Sequence, residues 1–285
     1  MITCHTIKEL RATIKKHRES GCNVAFVPTM GNLHTGHIQL VHEAHEAGDI
    51  VVSSIFVNPM QFGPGEDLEA YPRTLEADSE KLNQAGCHIL FAPNANEMYP
   101  NGTGAQTQVN VPELVNELCG ASRPGHFTGV TTVVTKLFNI VQPDIALFGQ
   151  KDFQQLAVIR KMAADLCMPI EIIGVPTVRA ESELALSSRN GYLNDEELAT
   201  APKLYQTLVK IKQAIESGEK DFDTLCHQGN KTLTVAGFKP DYLSIRRQSD
   251  LKPADKNDDA LVILGAAHLG NARLIDNIAF ALNHS

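Results

Sequence analysis

The sequence has no apolar run long enough to cross a bilayer. Its longest apolar stretches, 50–57 and 261–267, are strand-sized and fall well short of the ~18 residues that a spanning helix needs. Residues 1–20 contain no apolar signal core. Their Lys and Arg are mixed with Glu9 and Glu19, so the segment reads as an amphipathic first helix rather than a leader. A cytoplasmic protein with no membrane partner is the expectation. No two of the cysteines, at 4, 22, 87, 119, 167 and 226, form a CxxC pair. That spacing argues against a zinc site, and the chain is too long to be a disulfide-stapled module. Reduced, mostly buried thiols are expected. An excess of positive charge is also missing, since the formal net charge is −8. The one basic cluster, Lys15, Lys16 and Arg18, reads as a solvated helix face. A nucleic-acid partner is therefore not expected, whereas a compact anion needs only a few local cations and backbone donors. Internal repeats and low-complexity tracts are absent as well.

What remains is an ordinary globular balance, 43% hydrophobic and 20% charged over 285 residues. In the first half strands and helices alternate. Strands are expected at 23–27, 50–57, 88–92, 144–148 and 171–175, with helices at 36–47, 74–85 and 153–166 and a Gly-, Pro- and Asp-rich loop at 58–71. The near-continuous apolarity of 50–57 suits a strand covered on both faces. This β-α-β order predicts an α/β fold with a doubly wound parallel sheet. Beyond Asn190 the texture changes. A long helix at 195–217, a second at 222–235, and strands at 241–246, 260–266 and 273–278 suggest a smaller α+β domain. The expected division is 1–185 and 186–285.

Five segments carry chemistry. In the first, a strand ends near Pro28, a tight turn with Gly31 follows, and a helix opens near Gly36. Helix N-termini attract phosphate through unpaired N–H groups and the dipole. His34 and His37, three residues apart, could face one bound anion, and imidazole can donate to phosphate oxygens. The bland reading, two ordinary histidines, is weakened by this strand–loop–helix setting. The His-x-Gly-His pattern resembles the HIGH signature of nucleotidyltransferases and class I tRNA synthetases. In the second, Asn58, Gln61 and Tyr71 lie just past a strand, where α/β proteins bind ligands. Gln61 can donate and accept at once, which suits a hydroxy acid, although a polar turn explains the segment equally well. In the third, around 120–141, Arg123 is a plausible anion contact, and Val133 and Val134 either line a pocket or pack a helix. In the fourth, a strand runs into Gly149, Gln150, Lys151 and Asp152. Lys151 is a compact charge for phosphate; Asp152 could bind ribose or cap the next helix, and Gln155 could reach the same cleft as Gln61. In the fifth, Leu186, Ser187, Ser188 and Arg189 put two hydroxyls and a guanidinium into one loop, a good polyphosphate clamp that is similar to the KMSKS-type loop.

Taken in this order, over about residues 24–193, these segments resemble the pantothenate synthetases, pantoate–β-alanine ligases of the HIGH-motif superfamily. The resemblance implies a Rossmann-like N-terminal domain, a smaller C-terminal lid domain and a homodimer. It also implies ATP-dependent condensation of pantoate with β-alanine to pantothenate, AMP and pyrophosphate through a pantoyl-adenylate. ATP is a substrate in that family, Mg2+ arrives on it, and no protein metal site is implied. By the same resemblance Met30, Gly31, Asn32, Leu33, His34, Thr35, Gly36 and His37 hold ATP, with Gly149, Gln150, Lys151, Asp152, Val178, Leu186, Ser187, Ser188 and Arg189. His37 is the implied proton donor, aided by His34 and Lys151. Gln61, Gln155, Met30, Val133 and Val134 would hold pantoate, with Asn58 and Tyr71 as further pocket members. The sequence departs from the family at Ser182-Glu183, where Asp-Gly is usual, and at Thr35 and Gln150. Gly permits φ > 0 and Glu resists it, so the loop path there is open. Three other readings stay open on the residues alone: an adenylyltransferase acting on a phosphorylated acceptor, a tRNA-binding synthetase-like module, and a nonenzymatic nucleotide sensor.

Overall fold

The computed structural model describes residues 1–63 and 65–282. Pro64 of the expected loop and residues 283–285 of the expected smaller domain lie outside them. In chain order the elements are β1 (Ile2–Cys4), α1 (Ile7–Arg18), β2 (Val24–Thr29), α2 (Thr35–Ala47), β3 (Ile50–Ile55), α3 (Leu75–Gln84), β4 (Ile89–Phe91), α4 (Ala95–Met98), α5 (Cys119–Ser122), α6 (His126–Val141), β5 (Ile145–Gly149), α7 (Phe153–Asp165), β6 (Glu171–Val175), α8 (Asp195–Thr200), α9 (Lys203–Glu216), α10 (Phe222–Val235), β7 (Lys239–Arg247), β8 (Ala260–Leu269) and β9 (Ala272–Ala281). They form two compact units: residues 1–150 with 155–176, and residues 151–154 with 177–285.

In the first unit six parallel strands run in the order β1-β4-β3-β2-β5-β6, as the alternating sequence requires. Successive β2 side chains serve opposite faces. Ala25 and Val27 pack with Leu40, Val41 and Ala44 of α2. Phe26 meets Phe138 of α6 edge-on at 6.5 Å between ring centroids, and Phe138 in turn meets Phe148 of β5 at 6.3 Å. Covering on both faces explains why these strands read as apolar runs rather than alternating ones. The strand order reverses beside β2, between β3 and β5. The carboxyl ends of β2 and β5 therefore flank the switch point where such sheets bind ligands, and Met30 and Gln150 follow directly.

The N-terminus differs from the single amphipathic helix expected. Ile2–Cys4 pairs with β4 as an edge strand too short to show a period. Helix α1 starts only after Thr6, whose hydroxyl accepts from the Glu9 N–H while Glu9 answers to the Thr6 N–H, a capping box.

The second unit holds the antiparallel sheet β7-β8-β9. Leu204, Leu208, Ile211 and Ile215 of α9 and Leu225 and Leu233 of α10 pack with Leu243, Leu261 and Ile263 of that sheet. The helix expected over 195–217 is two helices, α8 and α9. Pro202 has no N–H for the i−4 bond, so the chain restarts at Lys203. No helix among the described residues is long and apolar enough to cross a membrane. Cys4, Cys87 and Cys119 are buried and Cys167 is exposed. Burial pushes the Cys87 thiol up to about 11.

Candidate active site

Helix α2 begins on His34, and the two histidines fix each other through the backbone. The Gly36 N–H donates to His34 Nδ1 at 3.1 Å, and the His34 N–H donates to His37 Nδ1 at 3.2 Å. Their rings lie 4.0 Å apart between centroids. Because each Nδ1 accepts from a backbone N–H, each neutral imidazole carries its proton on Nε2. Both rings are thereby set as donors through Nε2 at the start of α2, where the backbone N–H groups of a helix N-terminus suit phosphate oxygens.

The turn before this helix is held from α3. Asp78 is fully buried and accepts from the Asn32 N–H at 2.7 Å, the Leu33 N–H at 2.8 Å and the Thr74 hydroxyl at 2.9 Å. Lys81 Nζ donates to the Leu33 carbonyl at 2.7 Å. Gly31 has φ +87°, and a Cβ there would lie 3.2 Å from Asp78 Oδ2, so the turn needs glycine both for its conformation and for the close approach. Asn32 is left-handed too, with φ +50°. Asp78 is not among the residues expected at the site. Its signal was position: it lies four residues before Leu82, on the buried face of α3.

Asn58 and Gln61 flank a turn after β3, and both are buried. Asn58 Nδ2 donates to Gln61 Oε1 at 3.1 Å, and Gln61 Nε2 lies 2.8 Å from Met30 Sδ. Three residues expected in one pocket are thereby joined. A Cβ on Gly129 would stand 2.2 Å from the Met60 carbonyl, so glycine lets α6 approach this turn. Val133 and Val134 are buried on α6, and Tyr71 is buried against Phe62, 5.8 Å between ring centroids. Gln155 is half-buried in the first turn of α7.

Arg123 does not present a spare charge. It grips Glu66 with two hydrogen bonds, at 2.7 and 2.6 Å, and reaches the Gln61 carbonyl at 3.4 Å. Burial pushes the Glu66 carboxyl up, but the Arg123 hydrogen bonds and charge, the Gly63 N–H and His126 outweigh it and hold the group below its usual value. His126 lies between, with Nδ1 at 2.8 Å from the Gln61 carbonyl and Nε2 at 3.0 Å from Arg123 Nη1. The guanidinium therefore organises the Gln61 turn, where the sequence suggested an anion contact.

Gly149 closes β5 against Val175, and Gln150 Nε2 donates to the Gly174 carbonyl at 3.1 Å. In the second unit Lys151 is half-buried, with Nζ 3.9 Å from Asp152 Oδ2, and its carbonyl accepts from Asn277 Nδ2 at 2.9 Å. Residues 178–186 form a hairpin in which the Leu186 N–H donates to the Val178 carbonyl at 3.0 Å and Arg179 bridges to Ala185. Glu183 sits in its turn with φ +72°, the left-handed backbone that the glycine usual in the family would adopt without strain. Arg179 fastens the hairpin. It donates to Asp276 at 2.7 and 2.8 Å and to the Glu183 carbonyl at 3.1 Å, and it stacks 3.5 Å from the Tyr205 ring centroid. Past the hairpin, Ser187 Oγ accepts from the Arg189 N–H at 3.2 Å, starting a 3-10 turn over Ser188–Tyr192. A pocket within this unit is bounded by Lys151, Ser187, Asn190, Tyr205 and Asp276, among others. No group of three His, Cys, Asp or Glu among the described residues could hold a metal ion.

A family model described as pantoate-beta-alanine ligase matches residues 2–279. The pantothenate synthetase of Azotobacter vinelandii is 62% identical over 279 residues, which cover 98% of this chain and 99% of that protein. The pantothenate synthetase of Pseudomonas entomophila is 60% identical over 278 residues, with 98% and 97% covered. Among solved structures, pantothenate synthetase from Thermus thermophilus matches with a TM-score of 0.90 at 46% identity, over 98% of this chain and 99% of that one. Pantoate-beta-alanine ligase from Francisella tularensis, complexed with beta-gamma ATP and beta-alanine, matches with a TM-score of 0.80 at 34% identity, over 98% and 97%. With sequence and fold in agreement over nearly the whole of each relative, the chain belongs to the pantoate-beta-alanine ligase family.

Proposed function

We propose that this chain joins (R)-pantoate to β-alanine with ATP, giving pantothenate, AMP and pyrophosphate through a pantoyl-adenylate. The observation that carries this reading is the His34–His37 pair, held as two Nε2–H donors where β2 runs into α2. The pantoate carboxylate attacks the α-phosphorus, an O–P bond forms, and the bond to pyrophosphate breaks. Negative charge grows on the α-phosphate and on the departing oxygens. Fixed donors there are worth about 3 kcal/mol each by comparison with oxyanion holes. His37 is the proton donor, with His34, Lys151 and Arg189 as further donors. The neutral amine of β-alanine then attacks the anhydride carbonyl: the C–N bond forms, the bond from the carbonyl carbon to the bridging oxygen breaks, AMP leaves with that oxygen and the bonding pair, and the nitrogen loses a proton to solvent.

In this reading ATP is held by Met30 through His37, by Gly149 through Asp152, by Val178 and by Leu186 through Arg189. Gln61, Gln155, Met30, Val133 and Val134 hold pantoate, with Asn58 and Tyr71. Mg2+ enters on the phosphates. Residues 1–185 carry the nucleotide and the acid, and 186–285 form a lid that keeps water from the anhydride. The protein works in the cytoplasm as a homodimer, which sedimentation would test. A phosphorylated acceptor in place of pantoate would need spare positive charge near Gln61. The engagement of Arg123 with Glu66 argues against it.

The test is exchange of labelled pyrophosphate into ATP with β-alanine absent. Exchange that depends on pantoate, followed by AMP and pantothenate once β-alanine is added, is the expected result. Binding of ATP without any pantoate-dependent exchange or product would overturn the reading.

A further inference from the structure

The side-chain amide of Gln61 has two ends, a donor and an acceptor, and the structure determines which one is left for a ligand. Asn58 decides it, and Asn58 is itself pinned by groups that cannot reverse roles. Its Nδ2 donates to the Gly129 carbonyl at 3.1 Å, and its Oδ1 takes the Met60 N–H at 3.3 Å. A carbonyl only accepts and a backbone N–H only donates, so the orientation of the Asn58 amide is fixed. Its second N–H then points to Gln61 Oε1 at 3.1 Å. A flipped Gln61 would set NH2 against NH2. The acceptor end of Gln61 is thus occupied, and Nε2 faces Met30 Sδ at 2.8 Å. A thioether is a weak acceptor, which a substrate oxygen would readily replace.

The remaining bond comes from far along the chain. The Tyr99 hydroxyl donates to Asn58 Oδ1 at 2.7 Å, a shorter contact than the one from the Met60 N–H. Tyr99 is 3% exposed and Asn58 1%, so bulk water does not reach the pair to take over. We propose that Tyr99 is a positioning residue for the acid substrate. Through Asn58 it holds the Gln61 amide with its NH2 toward the ligand, and the site thereby selects an acid that presents an acceptor oxygen there. This rests on the reading above that Gln61 holds pantoate. Burial pushes the Tyr99 hydroxyl up to about 12, so it keeps its proton, and its role as donor, throughout the neutral range.

The test is a double-mutant cycle read by calorimetric titration of pantoate and, separately, of ATP, with thermal unfolding alongside. Tyr99→Phe keeps the ring and its packing on Phe56 and removes only the hydroxyl. The expected result is pantoate binding weakened about three- to tenfold, the range of one net hydrogen bond, with ATP affinity and Tm near those of the parent. In a Gln61→Ala background, Tyr99→Phe should weaken pantoate binding no further. Unchanged pantoate binding in Tyr99→Phe would overturn the proposal. So would parallel losses for pantoate and ATP with a lowered Tm, or a full Tyr99→Phe effect without Gln61. If the parent protein showed no pantoate-dependent exchange, the functional reading would fall. If it did exchange and Tyr99→Phe behaved as parent, only the relay would fall.

Discussion

Two regions expected to handle ligands are built on opposite principles. The Asn58–Gln61 turn is buried, and its amides are paired with Gly129, Met60 and Tyr99, so that each end has one permitted role. The 178–186 hairpin is half-exposed, is closed by a few backbone bonds, and carries Glu183 in left-handed backbone. Its side-chain anchors include Arg179, on Asp276 and Tyr205, and Asn190, whose Nδ2 donates to the Ala185 carbonyl at 3.0 Å. Overdetermined buried polar groups specify geometry. Few bonds plus stored strain make local opening easier. A recognition surface fits the first design and a segment that must move fits the second.

The largest effect should come from removing a proposed phosphate donor from either unit. His37→Ala, in the first unit, and Lys151→Ala, in the second, should each lose ~10²-fold or more in turnover with normal circular dichroism spectra. Near-parental rates in both would refute the proposed roles of His37 and Lys151. Next comes the turn before α2, which a buried carboxylate holds. Asp78→Ala leaves the Asn32 and Leu33 N–H groups without the carboxylate that now accepts them. It should cost about 2–3 kcal/mol of stability, read as a lower urea midpoint, and should raise KM for ATP more than KM for pantoate. Equal changes in both KM values would show that Asp78 supports the fold generally and does not shape the ATP turn. The smallest effect is expected in the hairpin. Glu183→Gly removes left-handed strain but also gives the unfolded chain more freedom, so a net gain of about 0.5–1 kcal/mol is expected. A small rise in Tm would register it. A fall would mean that the Glu183 side chain contributes more than its backbone costs.

The parallel sheet was legible because burial on both faces leaves a local trace, an apolar run such as 50–55 between amphipathic helices. The His34–His37 pair was legible for a related reason, since both partners lie within one helical turn. Edge strand β1 was not, because three residues carry no period. The break at Pro202 was visible in composition but was read through, since the apolar spacing continues past it. The pairing of Arg123 was not legible because a guanidinium looks the same in sequence whether it meets a ligand or a Glu 57 residues away.

By itself, then, the sequence determined the strand–turn–helix around His34 and His37 and the change of texture beyond Asn190. These depend on neighbours a few residues apart, through periodicity, capping and steric preference. Only the tertiary structure decided that Asp78 grips the turn at Asn32, that Glu66 pairs with Arg123, and that Asn58, bonded to Gly129, Met60 and Tyr99, faces Gln61 with its NH2. A buried polar group must find a partner, and packing alone selects which distant group that will be.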